Sequence, residues 1–161
     1  MIDDTDAKIL NILQGDARMP NSEIARRLGM APSAIFERIR KLEARGVIQG
    51  YAVRINPHAL ELGLLAFIYV RADERVGSLE TSRQLAQVPG VQEVHHIAGE
   101  DCYLVKVRAR DTDALGWLLR DCFGAIPSVR STRTTIVLTT VRETAALPLP
   151  AADEEEAAAN A

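Results

Sequence analysis

Glu37, Arg38, Lys41 and Arg45 recur at spacings of three and four, so a helix gathers them toward one face, with Arg40 flanking it. That face suits a polyanion. Ser33 and Ala34, with Glu37 and Arg38, fall in the part of such a helix that enters a major groove, where side chains reach base edges, while Lys41 and Arg45 farther along suit phosphates. The same pattern also describes an ordinary solvated outer face. A second group, Gly99-Glu100-Asp101-Cys102-Tyr103, places a glycine turn and two adjacent acids between expected strands, and its plainest reading is a hairpin with acids in water. His95-His96 with Cys102 suggests a metal, but neighbouring strand residues point to opposite faces, so no metal and no cofactor are expected. Cys122 follows Trp117 and Leu118 on an apolar helix face and reads as a packed thiol. Nucleophile, base and orienting group do not occur at any recognisable spacing, and no glycine-rich loop follows a strand, so the chain does not read as an enzyme.

Three short helices must position the first group. Asp3 can cap a helix burying Ile9, Leu10 and Leu13, with Gly15 at its left-handed end; Asn21 can cap a second, carrying Ile24, Ala25 and Leu28 inward and stopping at Gly29. The third starts at Pro32, buries Ile35, Ile39 and Leu42 at i, i+4, i+7, and ends at Gly46. Only Gly29, Met30 and Ala31 join the second to the third, a connection so tight that the helices must cross steeply, as in a helix-turn-helix. Ala31 forgoes roughly 1 kcal/mol of capping unless Ser33 or another group compensates.

Beyond an extended stretch at Tyr51–Ile55 and a loop at Asn56-Pro57, strands and helices alternate: strand 65–73, helix 77–88, strands 91–98 and 103–109, helix 112–125, strand 129–140. Val88-Pro89-Gly90-Val91 returns 38 residues later as Ile126-Pro127-Ser128-Val129, each copy closing a helix and opening a strand. The order βαββαβ is that of a ferredoxin-like sheet with both helices on one face, and the uncovered face calls for a partner copy. Phe67, Tyr69, Val105 and Val107, or their alternate neighbours, are the candidates for that face. The expected organisation is thus a helix-turn-helix domain over 1–50, a linker strand and loop over 51–63, a ferredoxin-like domain over 64–143 and a mobile acidic tail over 144–161. The fold class is α+β.

Of the 161 residues, 47% are apolar and 25% charged, which fits one or two small globular units. The longest apolar run, Leu62–Val70, is too short to span a bilayer, and the acidic start at Asp3, Asp4 and Asp6 is unlike a secretory signal; a cytoplasmic location is expected. The net charge of −3 conceals segregation: residues 1–60 hold nine Lys/Arg against seven Asp/Glu, 61–144 ten against eleven, and the tail adds four acids. A locally basic helix binds phosphates even on an acidic chain.

These parts, with Asp3-Xaa-Xaa-Asp6 before Ile9-Leu10, Leu28-Gly29-Met30, Glu37 to Glu43, Gly46 to Tyr51, Asn56-Pro57, Gly99 to Leu104 and Thr132-Arg133-Thr134, resemble the Lrp/AsnC family of feast/famine transcriptional regulators over residues 2 to about 143. The resemblance implies a homodimer through the sheets, assembling to an octamer, that binds double-stranded DNA and senses an amino acid. It places the effector in a pocket between dimers, formed by Gly99, Glu100, Asp101, Cys102 and Tyr103, with hydroxyls such as Thr139 nearby. The family's commoner loop, Gly-Asp-Xaa-Asp-Tyr, has acids where this chain has Glu100 and Cys102, which makes Asp101 the candidate partner for the ammonium. The expected function is sequence-specific, effector-responsive transcription regulation; the alternative is an architectural DNA-binding protein without an effector.

Overall fold

A computed structural model describes residues 2–75 and 77–149, which divide into two compact units, one of residues 2–53 with 143–149, the other of 54–142. The first contains α1 (Asp4–Gly15), α2 (Asn21–Leu28) and α3 (Pro32–Ala44). The apolar positions expected at helical spacing do meet: Ile9, Ile24, Ala25, Ile35 and Ile39 form one buried cluster, and Leu42 is buried as well. Each fully buried aliphatic side chain contributes about 1.5–3 kcal/mol by leaving water.

The helix ends depart from expectation in two places. Gly15 is the last helical residue rather than a left-handed cap, and extended Asp16 closes α1 by donating its N–H to the Ile12 carbonyl. Asn21 is the first residue of α2, behind Pro20, and caps nothing with its side chain. The others follow the reading. Asp3 Oδ1 accepts from the Asp6 N–H at 2.7 Å, and Gly29 (φ +63°) makes the turn that lets α3 leave steeply. Ala31 caps only through its carbonyl, which accepts from the N–H groups of Ala34 and Ile35.

The second unit opens with a 3-10 turn, Pro57–Leu60, and continues as β1 (Leu64–Ala72), α4 (Glu80–Ala86), β2 (Val91–His96), β3 (Tyr103–Ala109), α5 (Thr112–Trp117), a π-turn (Leu118–Phe123) and β4 (Val129–Ile136). The sheet order is β2-β3-β1-β4, with every neighbouring pair antiparallel. Each βαβ half therefore straddles a strand of the other, as the ferredoxin-like reading requires. The two copies of the repeat close the same hydrogen bonds, although Gly90 takes φ +81° and Ser128, its counterpart, does not take a positive φ. Val91 N–H bonds the Val88 carbonyl at 3.2 Å and Val129 N–H the Ile126 carbonyl at 3.0 Å, while the Gly90 and Ser128 carbonyls accept from Arg108 and Asp73.

The elements are shorter than periodicity suggested. The helix expected over 77–88 spans Glu80–Ala86, and that over 112–125 changes to π geometry after Trp117. The last strand stops at Ile136, although one further backbone bond, from the Val137 N–H to the Leu65 carbonyl at 2.9 Å, follows it. The linker strand expected at 51–55 has no ladder: residues 51–56 pair with no strand among the described residues, and an isolated strand has nothing to satisfy its backbone. At the base of the expected mobile tail, the Leu147 N–H donates to Gln14 Oε1 at 2.6 Å and its carbonyl accepts from Gln14 Nε2 at 3.1 Å. The acidic run lies outside the described residues.

Residues alternate cleanly across the sheet. Ala66, Ile68, Val70, Tyr103, Val105, Val107 and Ala109 bury against Leu85, Leu115, Leu118, Phe123 and Ile126. Val105 and Val107 thus belong to the covered face, correcting their assignment to the bare one, because β3 presents its odd-numbered residues to the helices. The open face carries Phe67, Tyr69 and Leu104 together with Lys106 and Arg133.

Candidate DNA-reading helix and effector loop

Building α3 outward from its buried stripe shows which side chains are available. Ser33 and Glu37 are exposed, Ala34 is half-buried, and Lys41 and Arg45 are exposed on the last turns. Glu37 lies 3.7 Å from Arg40, a loose exposed contact worth little. Lys41 forms no ion pair among the described residues.

Arg38 is placed differently from the base-reading role given it above. Its Nη1 donates to Asp3 Oδ2 and Asp6 Oδ1, both at 2.7 Å, tying α3 to the first turn of α1. Its hydrogen bond, followed by that from the Asp6 N–H, holds the Asp3 carboxyl below its ordinary range. The Asp3-Xaa-Xaa-Asp6 motif gains a physical reason: one acid caps α1 and both hold α3 in place. Only the spacing was visible in sequence; the guanidinium arrives from a residue more than thirty positions away.

On α2, Glu23 gathers Arg26 at 2.7 Å and Arg27 at 3.0 Å, and these two bonds pull its carboxyl down to about 2. Both arginines remain at the surface, where such pairs open readily for a phosphate. Phe36 and Tyr51 are each about half exposed, and Tyr51 donates its hydroxyl to Glu43 at 2.9 Å. The sequence reading overlooked these two rings.

Within the second unit, the loop 99–103 is built by backbone bonds between strand ends. Gly99 takes φ +131°, Ile97 N–H bonds the Cys102 carbonyl at 3.0 Å, and Cys102 N–H bonds the Val70 carbonyl at 2.9 Å. The Cys102 thiol sits 3.4 Å from both the amide nitrogen and the carbonyl of Ala72, anchoring the loop where the family's commoner form has an acid. Tyr103 is fully buried, with its hydroxyl donated to Glu74 and its ring 5.2 Å from that of His96. Burial, followed by the Glu74 bond, pushes the phenol up to about 12. Neither Cys102 nor Tyr103 therefore presents a polar atom to an outside ligand as the structure stands.

Asp101 is engaged as well: its carboxylate meets Arg133 at 3.0 Å, and that guanidinium lies 4.0 Å over the Tyr69 ring. Glu100 is exposed and makes no bond among the described residues. Thr139, expected on the last strand, lies three residues past its end and is exposed, so the structure does not bring it to the loop. On the neighbouring open face, Glu93 accepts from His95 and Lys106, both at 3.1 Å, and these bonds hold it below the ordinary carboxylate range. Among the described residues no group of three metal-ligating side chains converges, and no helix is long and apolar enough to cross a membrane.

A helix-turn-helix unit joined to a ferredoxin-like unit with an open sheet face is the architecture of a DNA-binding regulator with a second, separate domain. Comparison with known proteins gives the same answer. Residues 2–49 match a winged helix-turn-helix DNA-binding family and residues 65–147 the Lrp/AsnC ligand binding domain. The chain belongs to the Lrp/AsnC family and is a DNA-binding transcriptional regulator. It is 41% identical over 148 residues to the HTH-type transcriptional regulator FL11 of Pyrococcus horikoshii, covering 92% of this chain and 97% of that one. To the leucine-responsive regulatory protein of Escherichia coli it is 35% identical over 144 residues, covering 88% of each. Among solved structures it resembles the feast or famine regulatory protein of M. tuberculosis complexed with L-methionine, at TM-score 0.85 and 35% identity, over 93% of this chain and all of the other. A transcriptional regulator of Neisseria meningitidis in complex with L-Met gives TM-score 0.83 at 29% identity, covering 92% and 97%.

Proposed function

We propose that the protein reads specific DNA sites with α3, assembles through the open face of its sheet into at least a dimer and, as the family implies, an octamer, and changes assembly or DNA affinity when an amino acid binds at the loop 99–103. The observation that carries the reading is the exposed face of α3, with Ser33, Glu37, Arg40 and Lys41 held at a tight Gly29 turn over a buried core. A symmetric dimer supplies two such helices to two half-sites. Phe67, Tyr69 and Leu104 supply apolar area for pairing, with Lys106 between Phe67 and Glu93 and Arg133 on the edge strand β4 as its charged groups.

Lys41→Ala tests the helix. It is expected to weaken specific and unrelated duplexes alike and to lower the salt slope of log K by about 1, the signature of one lost phosphate contact. An unchanged slope in an anisotropy titration removes α3 from the interface.

The effector reading rests on the L-Met complexes of similar proteins and on the placement of acids beside the Gly99 turn. With Asp101 paired to Arg133, two routes are open: an ammonium displaces the guanidinium from Asp101, or it takes the unengaged Glu100. Calorimetry of the twenty amino acids against wild type, Asp101→Ala and Glu100→Ala is expected to find an apolar ligand whose affinity falls in one variant. DNA affinity then shifts about 5- to 150-fold with ligand, as a coupling of 1–3 kcal/mol gives. No binding at millimolar concentration would favour an architectural protein without an effector.

A further inference from the structure

We infer that the C-terminal segment 150–161 docks on the helix-turn-helix unit and competes there with DNA for the basic side of α3. The inference rests on the assignment of α3 to DNA. Three observations lead to it.

The base of the tail is already attached to this unit. The Gln14 side-chain amide holds both the N–H and the carbonyl of Leu147, imitating a neighbouring strand, and Leu149 is half-buried although residues 143–148 are exposed. Leu149, the last described residue, is thus partly covered.

A cleft of about 250 Å³ lies beside that attachment. Leu13, adjacent to Gln14, lines it together with Met19, Phe36, Ile39, Arg40 and Tyr51. Half-exposed Phe36 and Tyr51 give it apolar walls, and on the α3 side it meets one cation, Arg40, and one acid, Glu43, the latter already holding the Tyr51 hydroxyl.

The remaining sequence matches that order of surfaces. Pro150-Ala151-Ala152 offers small apolar groups, and Asp153-Glu154-Glu155-Glu156 follows with four consecutive acids. Acids 153–156 lie four to seven residues past Leu149, about 13–25 Å of extended chain, a reach comparable with the roughly 20 Å length of a helix such as α3. Tethering raises their effective concentration to the millimolar range, where a weak polyanion competes with DNA for the same cations. The acidic run is then a built-in discriminator: nonspecific duplexes, held by phosphate contacts alone, lose to it, whereas a specific site displaces it.

The chain has three lysines, Lys8, Lys41 and Lys106, which makes zero-length carbodiimide cross-linking decisive. In the full chain without DNA, acids 153–156 are expected to couple to Lys41, with the product suppressed by duplex DNA, by high salt and by Gln14→Leu. Coupling to Lys8 or Lys106 alone, or to no lysine, overturns the inference, and this readout stands even if no protein tested binds duplex. In parallel, truncation after Leu149 and the neutralised tail Asp153→Asn/Glu154→Gln/Glu155→Gln/Glu156→Gln are expected to tighten nonspecific binding about 3- to 10-fold at low salt, with convergence as salt screens both competitors. Unchanged affinity in both overturns the inference. Tightening without a Lys41 product assigns the tail to general repulsion of DNA and also overturns docking. Loss of duplex binding by every variant and by wild type instead defeats the assignment of α3.

Discussion

Arg38→Ala is expected to destabilise the helix-turn-helix unit by about 2–3 kcal/mol, because it leaves Asp6 as a buried carboxylate deprived of its cation. Asp6 is 7% exposed, and Arg38 supplies the side-chain donor to it. DNA affinity is expected to fall with it, for specific and unrelated duplexes alike, if the guanidinium acts by positioning α3 against α1. A base contact would give the opposite pattern: stability unchanged and discrimination lost at one position. The double-mutant cycle separates the two. Asp6→Asn in the Arg38→Ala background removes the orphaned charge, so the double variant should recover much of the loss. Acid behaviour gives a second check. The Arg38 bond, followed by the Asp6 N–H, lowers the Asp3 carboxyl, so its contribution is full above the ordinary aspartate range and is lost as pH falls through the lowered folded value. Arg38→Ala should therefore flatten the acid limb of the stability profile measured by circular dichroism. A variant as stable as wild type at every pH would return Arg38 to the DNA interface.

Phe123→Ala is expected to remove about 3–5 kcal/mol from the ferredoxin-like unit, the cost of an aromatic cavity in a packed core. Phe123 is fully buried at the end of the π-turn and joins the cluster beneath β1 and β3. For a unit of this size the loss lowers the melting temperature by on the order of 20 °C. Trp117, the single tryptophan of the chain, is half exposed in α5 and reports this unit by its fluorescence. Phe123→Leu, which keeps most of the volume, should cost much less. On the proposed assembly through the sheet, DNA binding by the alanine variant is expected to weaken most at low protein concentration, where that assembly would limit the number of helices offered to one duplex. A loss under about 1 kcal/mol would show that the π-turn closes over the vacancy and that Phe123 is not a keystone of the core.

Local rules made much of this architecture legible. Helical spacing located Ile9, Ile24, Ile35 and Ile39 as one core, the Gly29 turn enforced a steep crossing, and the Val88–Val91 repeat at Ile126–Val129 marked the two halves of the sheet. Each depends on residues within a turn or two of one another, where periodicity and backbone preference act. Element ends were less legible. Neither the end of β4 at Ile136 nor the change to π geometry after Trp117 has a marker in the sequence pattern.

For the candidate sites the division is sharper. By itself the sequence determined the basic face of α3, the glycine turn with its acids, and the alternation that leaves one sheet face open, since residue type and local spacing suffice for each. Tertiary structure alone decided which of these groups are available. It engaged Arg38 with Asp3 and Asp6, Asp101 with Arg133, and the Tyr103 hydroxyl with Glu74, while leaving Lys41 and Glu100 without such bonds among the described residues. Register likewise turned Val105 and Val107 toward the helices. The physical reason is that a charge or hydroxyl takes the partner that folding brings within about 3 Å, and such a partner lies tens of residues away, beyond the range of any local pattern.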